Sequence, residues 1–350
     1  MKKNIMIIDD SALMRRVLSD IINQTEQYQV ICTVNNGKAG LEAIHKYPQV
    51  DLIFLDINMP VMGGVELLKK MKREKLEIPT IVFSTIAERS SAETMEALSL
   101  GAIDFLKKPE NILVNMNSFR DKVYRVLSIL DKVEEEPVPV VKQVPHRKHR
   151  PHRQNMSGHG KLIALACSTG GPRALQEVIP LLPENLDAPV LIVQHMPEGF
   201  TASLAQRLND ISAVSVTEAV DGEVLKKGHV YIAKGGSHMR IAYEHGQHRI
   251  QLGKDEPVSG LRPYANYMYE SLIESDYLEI ICVVLTGMGA DGTKGIEKLS
   301  REKNIYVISQ DQKSSTVYGM PKVVVQAGLT DEVASLDNIA KAIINITGVC

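Results

Sequence analysis

Residues 161–173 read KLIALACSTGGPR, and this stretch decides the fold class of the larger part of the chain. Its first half is an apolar run typical of a buried strand, small residues follow, and Pro172 suits the first turn of a helix. Helical patterns separate it from three further apolar runs, Val190–Val193, Ile280–Leu285 and Ile305–Ile308. Strands alternating with helices predict an α/β, doubly wound domain with a mainly parallel sheet.

One region of this part breaks the alternation. Between about Val214 and Leu252 the strand-like segments are short, and glycines recur near positions 222, 228, 235 and 246. Glycine-containing turns between short apolar segments favour hairpins. We therefore expect a small antiparallel insertion in the larger α/β domain.

The N-terminal part also has an α/β pattern. Ala12–Ile22 is amphipathic, with its apolar residues on one helical face. Five short apolar runs are the candidate strands: Asn4–Ile8, Gln29–Val34, Asp51–Leu55, Thr80–Phe83 and Asp104–Leu106. Five βα units predict a parallel sheet that is covered by helices on both sides.

The composition changes sharply between these two parts. Residues 134–160 read EEEPVPVVKQVPHRKHRPHRQNMSGHG, which contains four prolines, many charges and no amphipathic period. Such a segment buries too little apolar surface to offset the entropy of ordering it. We predict domains over residues 1–131 and 161–350, joined by a linker over residues 132–160. Its basic half, Lys142–Arg153, could contact phosphate or acidic surfaces, or could simply be solvated.

Charge and cysteine content narrow the classes of function. The 350 residues carry 40 Lys and Arg against 42 Asp and Glu, which gives a net charge of -2 and no overall attraction to nucleic acid or anionic membranes. The four cysteines form no CxxC pair, so they indicate neither a metal site nor a disulfide framework. The first apolar run is too short for a signal peptide, and no run reaches the length of a membrane span. We expect a cytoplasmic protein that does not insert into membranes.

Polar residues follow the predicted strands of the N-terminal sheet. Asp9 and Asp10 follow the first strand, Asp56 the third, Ser84 the fourth and Lys108 the fifth. Because ligands bind at the carboxyl ends of parallel strands, these groups should converge. Clustered carboxylates suit Mg²⁺, which would let Asp56 attack a phosphoryl group, while Lys108 and Ser84 contact its oxygens. A helix cap and a loop aspartate are the simpler alternative.

The whole N-terminal part resembles a response-regulator receiver domain, which has a flavodoxin-like (βα)5 fold. The matching segments are IMIIDDS, LIFLDINMPVMGG, IVFST and DFLKKP. The resemblance implies that Asp56 is the phosphoacceptor and that Asp9, Asp10 and Asp56 hold Mg²⁺ together with the backbone carbonyl of Asn58. It also implies that Phe105 is the aromatic switch residue.

Three residues in the C-terminal part suggest a nucleophilic site. Ser168 follows the strand in KLIALAC, His195 follows the strand in LIVQ, and Asp291 lies in the glycine-rich segment GMGADG after a third strand. In space they could form a serine, base and orienting carboxylate. Alone, STGG would favour a phosphate-binding loop or a helix cap, and His238 is an alternative base.

The C-terminal part resembles the CheB family, the protein-glutamate methylesterases of bacterial chemotaxis. Four segments carry the resemblance in family order: ACSTGGP, VQHMPEGF, LTGMGADG and QDQKSSTVYGMP. The resemblance implies that Ser168 is the nucleophile, His195 the base and Asp291 its partner. It further implies that the backbone N–H groups of Thr169 and Met288 stabilise the oxyanion, and that ester hydrolysis needs no cofactor.

The sequence departs from the family pattern at several positions, none of which is one of the three predicted catalytic residues. The change to Asn266 bears on substrate contacts and rate. The departures are Gly63, Ala166 and Cys167, Lys234, the segment Tyr264–Asn266, and Ser315 or Thr316.

The two resemblances together imply a phosphorylation-activated enzyme. It would hydrolyse glutamate γ-methyl esters on methyl-accepting chemotaxis receptors, release methanol and also deamidate receptor glutamines, with a chemotaxis histidine kinase supplying the phosphoryl group. The unmodified receiver would cover the cleft at Ser168. One alternative is a phosphorylation-controlled binding module with an inactive C-terminal domain. A transcription factor, the other alternative, would have a helix-turn-helix after the linker instead of apolar strands.

Overall fold

The computed structural model describes residues 2–84, 88–109, 112–128, 130 and 159–348. The chain divides into two compact units, Met1–Glu136 and Pro137–Cys350. The predicted linker lies outside the described residues except for its last two, so the predicted domain boundaries stay a prediction. Within the described residues, no helix has both the length and the apolar character to cross a membrane.

The first unit is a five-stranded parallel sheet with the order β2-β1-β3-β4-β5, which confirms the predicted flavodoxin-like (βα)5 fold. Its elements are β1 (Lys3–Ile8), α1 (Ala12–Asn23), β2 (Tyr28–Val34), α2 (Gly37–Lys46), β3 (Leu52–Asp56), α3 (Gly64–Arg73), β4 (Thr80–Ser84), α4 (Glu88–Ser99), β5 (Asp104–Lys107) and α5 (Ile112–Leu127).

Burial explains why these residues form these elements. Every residue of β3 and β4 is buried, as expected for central strands with helices on both faces. Helix α1 begins after Ser11, whose hydroxyl accepts a hydrogen bond from the amide of Met14. Its buried residues recur every three or four positions, so one face of the helix packs on the sheet. They are Met14, Val17, Leu18, Ile21 and Ile22.

The second unit is a seven-stranded parallel sheet with the order β14-β13-β12-β6-β7-β9-β8 and a separate antiparallel pair, β10-β11. Its elements are β6 (Lys161–Cys167), α6 (Gly171–Val178), β7 (Val190–Gln194), α7 (Thr201–Ile211), β8 (Ser215–Glu218), β9 (His229–Ile232), β10 (His238–Glu244), β11 (Gln247–Gly253), α8 (Ala265–Ser271), β12 (Glu279–Val284), α9 (Thr293–Glu302), β13 (Ile305–Gln310), α10 (Met320–Gln326), β14 (Glu332–Ala334) and α11 (Leu336–Thr347).

The middle region of this unit only partly follows the hairpin prediction. Strands β10 and β11 do form a hairpin, which turns at His245 and Gly246. Strands β8 and β9 instead pair in parallel and extend the main sheet. The segment between them crosses over the hairpin, where the amides of Gly222 and Leu225 donate to carbonyls of β11. The glycines between β8 and β9 therefore mark the turns of a short crossover. Such turns look the same in sequence as hairpin turns.

The position of β6 decides where a site can form. It lies between β12 and β7 at the centre of the sheet, and the chain runs first to one side of it and later to the other. In open α/β sheets, ligands bind at the carboxyl ends of the strands next to such a reversal. Ser168 immediately follows β6 at this point. In the first unit the reversal lies between β1 and β3, whose ends carry Asp9 and Asp56.

Candidate active site

Strand register brings Ser168 and His195 to the same edge of the sheet. Cys167 and Gln194 are paired across β6 and β7, and the amide of His195 donates to the carbonyl of Cys167 at 3.1 Å. On the other side of β6, the amide of Ser168 donates to the carbonyl of Thr286 at 3.0 Å. Residues from three neighbouring strand ends are thus held together by backbone hydrogen bonds.

His195 and Asp291 form a buried pair. Nε2 of His195 lies 2.7 Å from Oδ2 of Asp291, and the two side chains are 5% and 3% exposed. The carboxylate also accepts hydrogen bonds from the amides of Ala265, Asn266 and Gly292, at 2.6, 3.0 and 2.8 Å. These donors fix its orientation toward the imidazole. Nδ1 of His195 is buried and has no hydrogen-bond partner within the described part of the chain.

Gln194 connects the strand ends, and sequence reasoning missed this role. Its Nε2 donates to the carbonyls of Ser168 at 3.0 Å and of His195 at 3.2 Å. Its Oε1 accepts a hydrogen bond from Sγ of Cys167 at 3.0 Å. The side chain is buried, so Gln194 holds the segments of Ser168 and His195 in a fixed relation. A polar amide directly after an apolar strand was the available signal in the sequence.

The loops around Ser168 leave backbone donors available. Among the described residues, the amides of Thr169 and Met288 donate no hydrogen bond within the protein. The hydroxyl of Thr286 ties the loops together, because it donates to the carbonyl of Thr169 and accepts from the amide of Val317, both at 2.9 Å. Two available donors on fixed loops are what an oxyanion site needs.

Gly287 allows its loop to approach the strand of Ser168 closely. A Cβ atom at Gly287 would lie 2.8 Å from the Cβ of Ser168 and 2.5 Å from the sulfur of Met320. Real Cβ atoms do not approach other atoms this closely, so this position requires glycine.

His238, the alternative base, has different surroundings. It is fully buried at the start of β10, its Nε2 lies 3.2 Å from the carbonyl oxygen of Glu256, and its ring packs edge-on against Tyr267. Desolvation by burial is the main cause that lowers its pKa. The orienting carboxylate, Asp291, is bonded to His195 and not to His238.

The first unit holds an acidic cluster beside a lysine. Nζ of Lys108 lies 2.7 Å from Oδ2 of Asp56 and 2.9 Å from Oδ2 of Asp9, and both carboxylates are buried. Burial, the largest effect, raises the pKa of Asp56 to about 6, against the lowering effect of Lys108. The attraction of Asp56 and Asp9 raises the pKa of Lys108 against the opposing effect of its burial. The positive charge of Lys108 therefore compensates part of the negative charge of Asp9 and Asp56.

The same cluster fits a hard divalent cation. Carboxylate oxygens of Asp9, Asp10 and Asp56 all lie within 4.8 Å of one another. Three converging oxygen donors, one of them on the exposed Asp10, form a set that suits Mg²⁺ with bound water. The amide of Asn58 donates to Oδ1 of Asp56 at 3.3 Å.

The remaining predicted receiver residues lie within or directly after β4 and β5. Ser84 is buried, and its hydroxyl accepts a hydrogen bond from Thr94 at 2.7 Å. The amide of Lys108 donates to the carbonyl of Ser84 at 2.8 Å. Phe105 is buried in β5. The ends of four strands thus gather the predicted groups, apart from Phe105, at one edge of the sheet.

Comparisons with known proteins agree with this architecture. Residues 163–343 match the family model described as CheB methylesterase, and residues 5–116 match the response regulator receiver domain. The chain belongs to the CheB methylesterase family. CheB-family relatives named protein-glutamate methylesterase/protein-glutamine glutaminase include that of Bacillus licheniformis, 40% identical over 97% of both chains. That of Clostridium acetobutylicum is 38% identical over 99% of this chain and 98% of its own.

Solved structures include a CheB relative of the second unit. The crystal structure of the Thermotoga maritima CheB methylesterase catalytic domain is 41% identical, with a TM-score of 0.52, and covers 53% of this chain and 98% of that chain.

The departures from the CheB pattern near the site have identifiable contacts. Oδ1 of Asn266, a buried residue, accepts a hydrogen bond from the amide of Gly295 at 2.5 Å, so its side chain caps the first turn of α9. Ala166 and Cys167 are fully buried in β6, and burial raises the pKa of the Cys167 thiol far above its usual range. Thus Asn266 and Cys167 support the site through buried contacts.

Proposed function

We propose that this protein is a protein-glutamate methylesterase and protein-glutamine glutaminase controlled by phosphorylation of its receiver domain. Membership in the CheB family supports the reaction class, and the names of relatives such as that of Bacillus licheniformis support both activities. The observation that carries the proposal is the buried contact between His195 and Asp291 beside the strand end at Ser168. Its substrates are glutamate γ-methyl esters on methyl-accepting chemotaxis receptors.

In the proposed first step, the hydroxyl of Ser168 attacks the ester carbonyl. His195 accepts the proton at Nδ1, because its Nε2 is already bonded to Asp291. Asp291 orients the ring and stabilises the imidazolium that forms. The amides of Thr169 and Met288, which have no partner among the described residues, donate to the oxyanion. The intermediate then collapses, and methanol leaves with the proton held by His195.

In the proposed second step, water attacks the acyl group on Ser168. His195 removes its proton and returns it to the serine oxygen, which releases a glutamate side chain. A receptor glutamine would react in the same way, with ammonia leaving in the first step. Both reactions create a carboxylate on the receptor surface. No cofactor takes part in either reaction.

We propose that Asp56 receives the phosphoryl group that controls these reactions. Asp9, Asp10 and Asp56, with the backbone carbonyl of Asn58, would hold Mg²⁺, which offsets the charge of the incoming group. Lys108 already contacts Asp56 and would contact the phosphoryl oxygens. Ser84 would donate to one of these oxygens, and Phe105 would change its packing. A chemotaxis histidine kinase is the proposed source of phosphate.

The decisive experiment measures methanol release from methylated chemoreceptor membranes. The purified protein is assayed with and without Mg²⁺ and a small phosphodonor, and Ser168→Ala is the matched control. We expect release that rises with phosphodonor and is lost in Ser168→Ala. If the folded wild-type protein binds receptors but releases neither methanol nor ammonia, the alternative of a phosphorylation-controlled binding module is favoured.

A second experiment tests how phosphorylation acts. We propose that the unmodified receiver restricts access to Ser168, and that modification of Asp56 shifts the population to an open arrangement. Deletion of residues 1–150 should then raise the basal rate of ester hydrolysis. An unchanged or lower rate in a fragment that circular dichroism shows to be folded would contradict simple occlusion.

A further inference from the structure

A second cluster of potential metal ligands lies at the start of the second unit. Nδ1 of His159 is 2.7 Å from Oδ1 of Asp276, and Nε2 of His248 is 3.1 Å from the same oxygen. One ligand atom from each of these residues lies within 4.8 Å of the other two. The two imidazoles thus converge on one carboxylate. No step of the proposed ester hydrolysis uses these residues.

The surroundings hold the ligands in place. The ring of His248 is stacked on Tyr277, with ring centroids 4.1 Å apart, and on Tyr243 at 4.7 Å. The ring of His159 meets that of His248 nearly at right angles, at 81°. The hydroxyl of Tyr243 hydrogen-bonds to Asp276. Metal sites need such outer contacts, which fix the orientation of the ligands.

We propose that His159, His248 and Asp276 bind Zn²⁺. With bonds of about 2.0–2.2 Å, tetrahedral zinc places its ligand atoms about 3.3 Å apart. The distances of 2.7 and 3.1 Å to Asp276 would therefore increase by about 0.6 and 0.2 Å. The two imidazole nitrogens lie within 4.8 Å of each other and would have to reach the same spacing of about 3.3 Å. The exposed side of His159 leaves room for water as a fourth ligand.

The chemistry of the ligands favours zinc over harder cations. Two imidazoles and one carboxylate suit Zn²⁺, whereas Mg²⁺ and Ca²⁺ prefer sets of oxygen ligands.

The position of the cluster indicates a structural role. His159 precedes β6, His248 lies in β11 and Asp276 precedes β12, so one ion would join three segments. The amide of Leu278 already donates to the carbonyl of His159 at 3.0 Å. Ser168 follows the other end of β6, so it lies roughly 25 Å from His159, Asp276 and His248 at about 3.3 Å per strand residue. Zinc would fix the segment that leads into the second unit without touching the reacting atoms.

The test is a zinc titration of the full-length, chelator-treated protein in competition with a chromophoric chelator. Excess Mg²⁺ in the buffer occupies the receiver carboxylates. We expect His159→Gln and Asp276→Asn each to weaken zinc binding at least tenfold. The matched control is the triple variant His146→Gln, His149→Gln and His152→Gln, which removes the other three histidines of residues 132–160 and should bind zinc as the wild type does. Circular dichroism verifies that each variant is folded.

A thermal measurement provides a second readout. Zinc at about a hundredfold excess over its wild-type Kd should raise the Tm of the wild type by about 5 °C or more, and should raise that of His159→Gln by no more than about half as much. Equal zinc affinities of the wild type and folded His159→Gln would overturn the proposal. So would a loss of binding that is confined to the triple variant, because zinc would then belong to His146, His149 and His152.

Discussion

Nε2 of His195 and Oδ2 of Asp291 lie 2.7 Å apart, in a pair whose side chains are almost completely buried. The contact engages Nε2, so Nδ1 is the ring nitrogen through which the proposed proton exchange with Ser168 would take place. The amides of Asn266 and Gly292 donate to the other oxygen, Oδ1, and the amide of Ala265 donates to Oδ2 itself. The tautomer of His195 therefore depends directly on the charge of Asp291.

Asp291→Asn should lower kcat of ester hydrolysis by about 10³- to 10⁴-fold, because an amide no longer favours the tautomer with a proton on Nε2. The new NH₂ group would also face amide donors where the carboxylate accepted hydrogen bonds, so Tm should fall. Steady-state methanol release and a thermal melt check both effects.

His238→Gln is the control for the base. Because His238 contacts Glu256 and Tyr267, and the carboxylate of Asp291 is bonded to His195, kcat should stay within about threefold of the wild-type value. A loss in His238→Gln as large as that in Asp291→Asn would show that His238 is the base.

Gly171→Ala should disrupt the contacts that join the strand ends. A Cβ atom there would lie 2.0 Å from Oε1 of Gln194 and 3.0 Å from Sγ of Cys167, which forces the Gln194 side chain away. We expect a loss of about 1–3 kcal/mol in the free energy of unfolding, as for other overpacked cores. We also expect kcat to fall about tenfold or more, because Ser168 and His195 lose their common donor.

A double-mutant cycle separates the steric clash with Gln194 from other effects of Gly171→Ala. If Gln194 carries the effect, Gly171→Ala should cost little more in a Gln194→Ala background. Additive losses of stability and kcat would mean that Gly171 acts through other contacts.

The parts of the site that follow strand ends could be predicted from the sequence. Asp9 and Asp56, like Ser168 and His195, come directly after apolar runs, and parallel pairing brings such positions together. In the same way, alternating strands and helices were enough to predict the five-stranded sheet and, in the larger sheet, strands β6, β7, β12 and β13.

Contacts between distant segments could not be predicted in this way. His159 and Asp276 are 117 residues apart, and nothing in the spacing links either to His248. Gln194 resembles any polar residue at the end of a strand until its three hydrogen bonds are seen. Strands β8 and β9 were mistaken for hairpin strands because a short crossover and a hairpin turn both use glycine.

Cys167 should be inert although it precedes the proposed nucleophile. It is fully buried, and burial raises the pKa of its thiol, so little reactive thiolate forms. We expect iodoacetamide to leave methylesterase activity unchanged in the folded protein. Cys167→Ala should stay within about threefold of wild-type kcat, since both donor contacts of Gln194 remain. Inactivation that Cys167→Ala prevents would contradict this expectation.

The acidic cluster of the receiver should make stability depend on pH. Burial, the main cause, raises the pKa of Asp56 from 3.8 to about 6, so the folded state takes up a proton more readily than the unfolded chain. This contribution to stability is complete below about pH 4 and is lost as pH rises through about 6. A shift of about two units corresponds to about 3 kcal/mol.

Asp56→Asn, which removes this charge, should therefore stabilise the receiver by about 1–3 kcal/mol at pH 7 without Mg²⁺, and by much less at pH 4.5. Scanning calorimetry of the full chain measures the difference, and Asp10→Asn is the control because Asp10 is exposed. Mg²⁺ should reduce the gain, since a bound cation stabilises the wild-type carboxylate. An equal gain at both pH values would mean that desolvation of the Asp56 charge is not its cause.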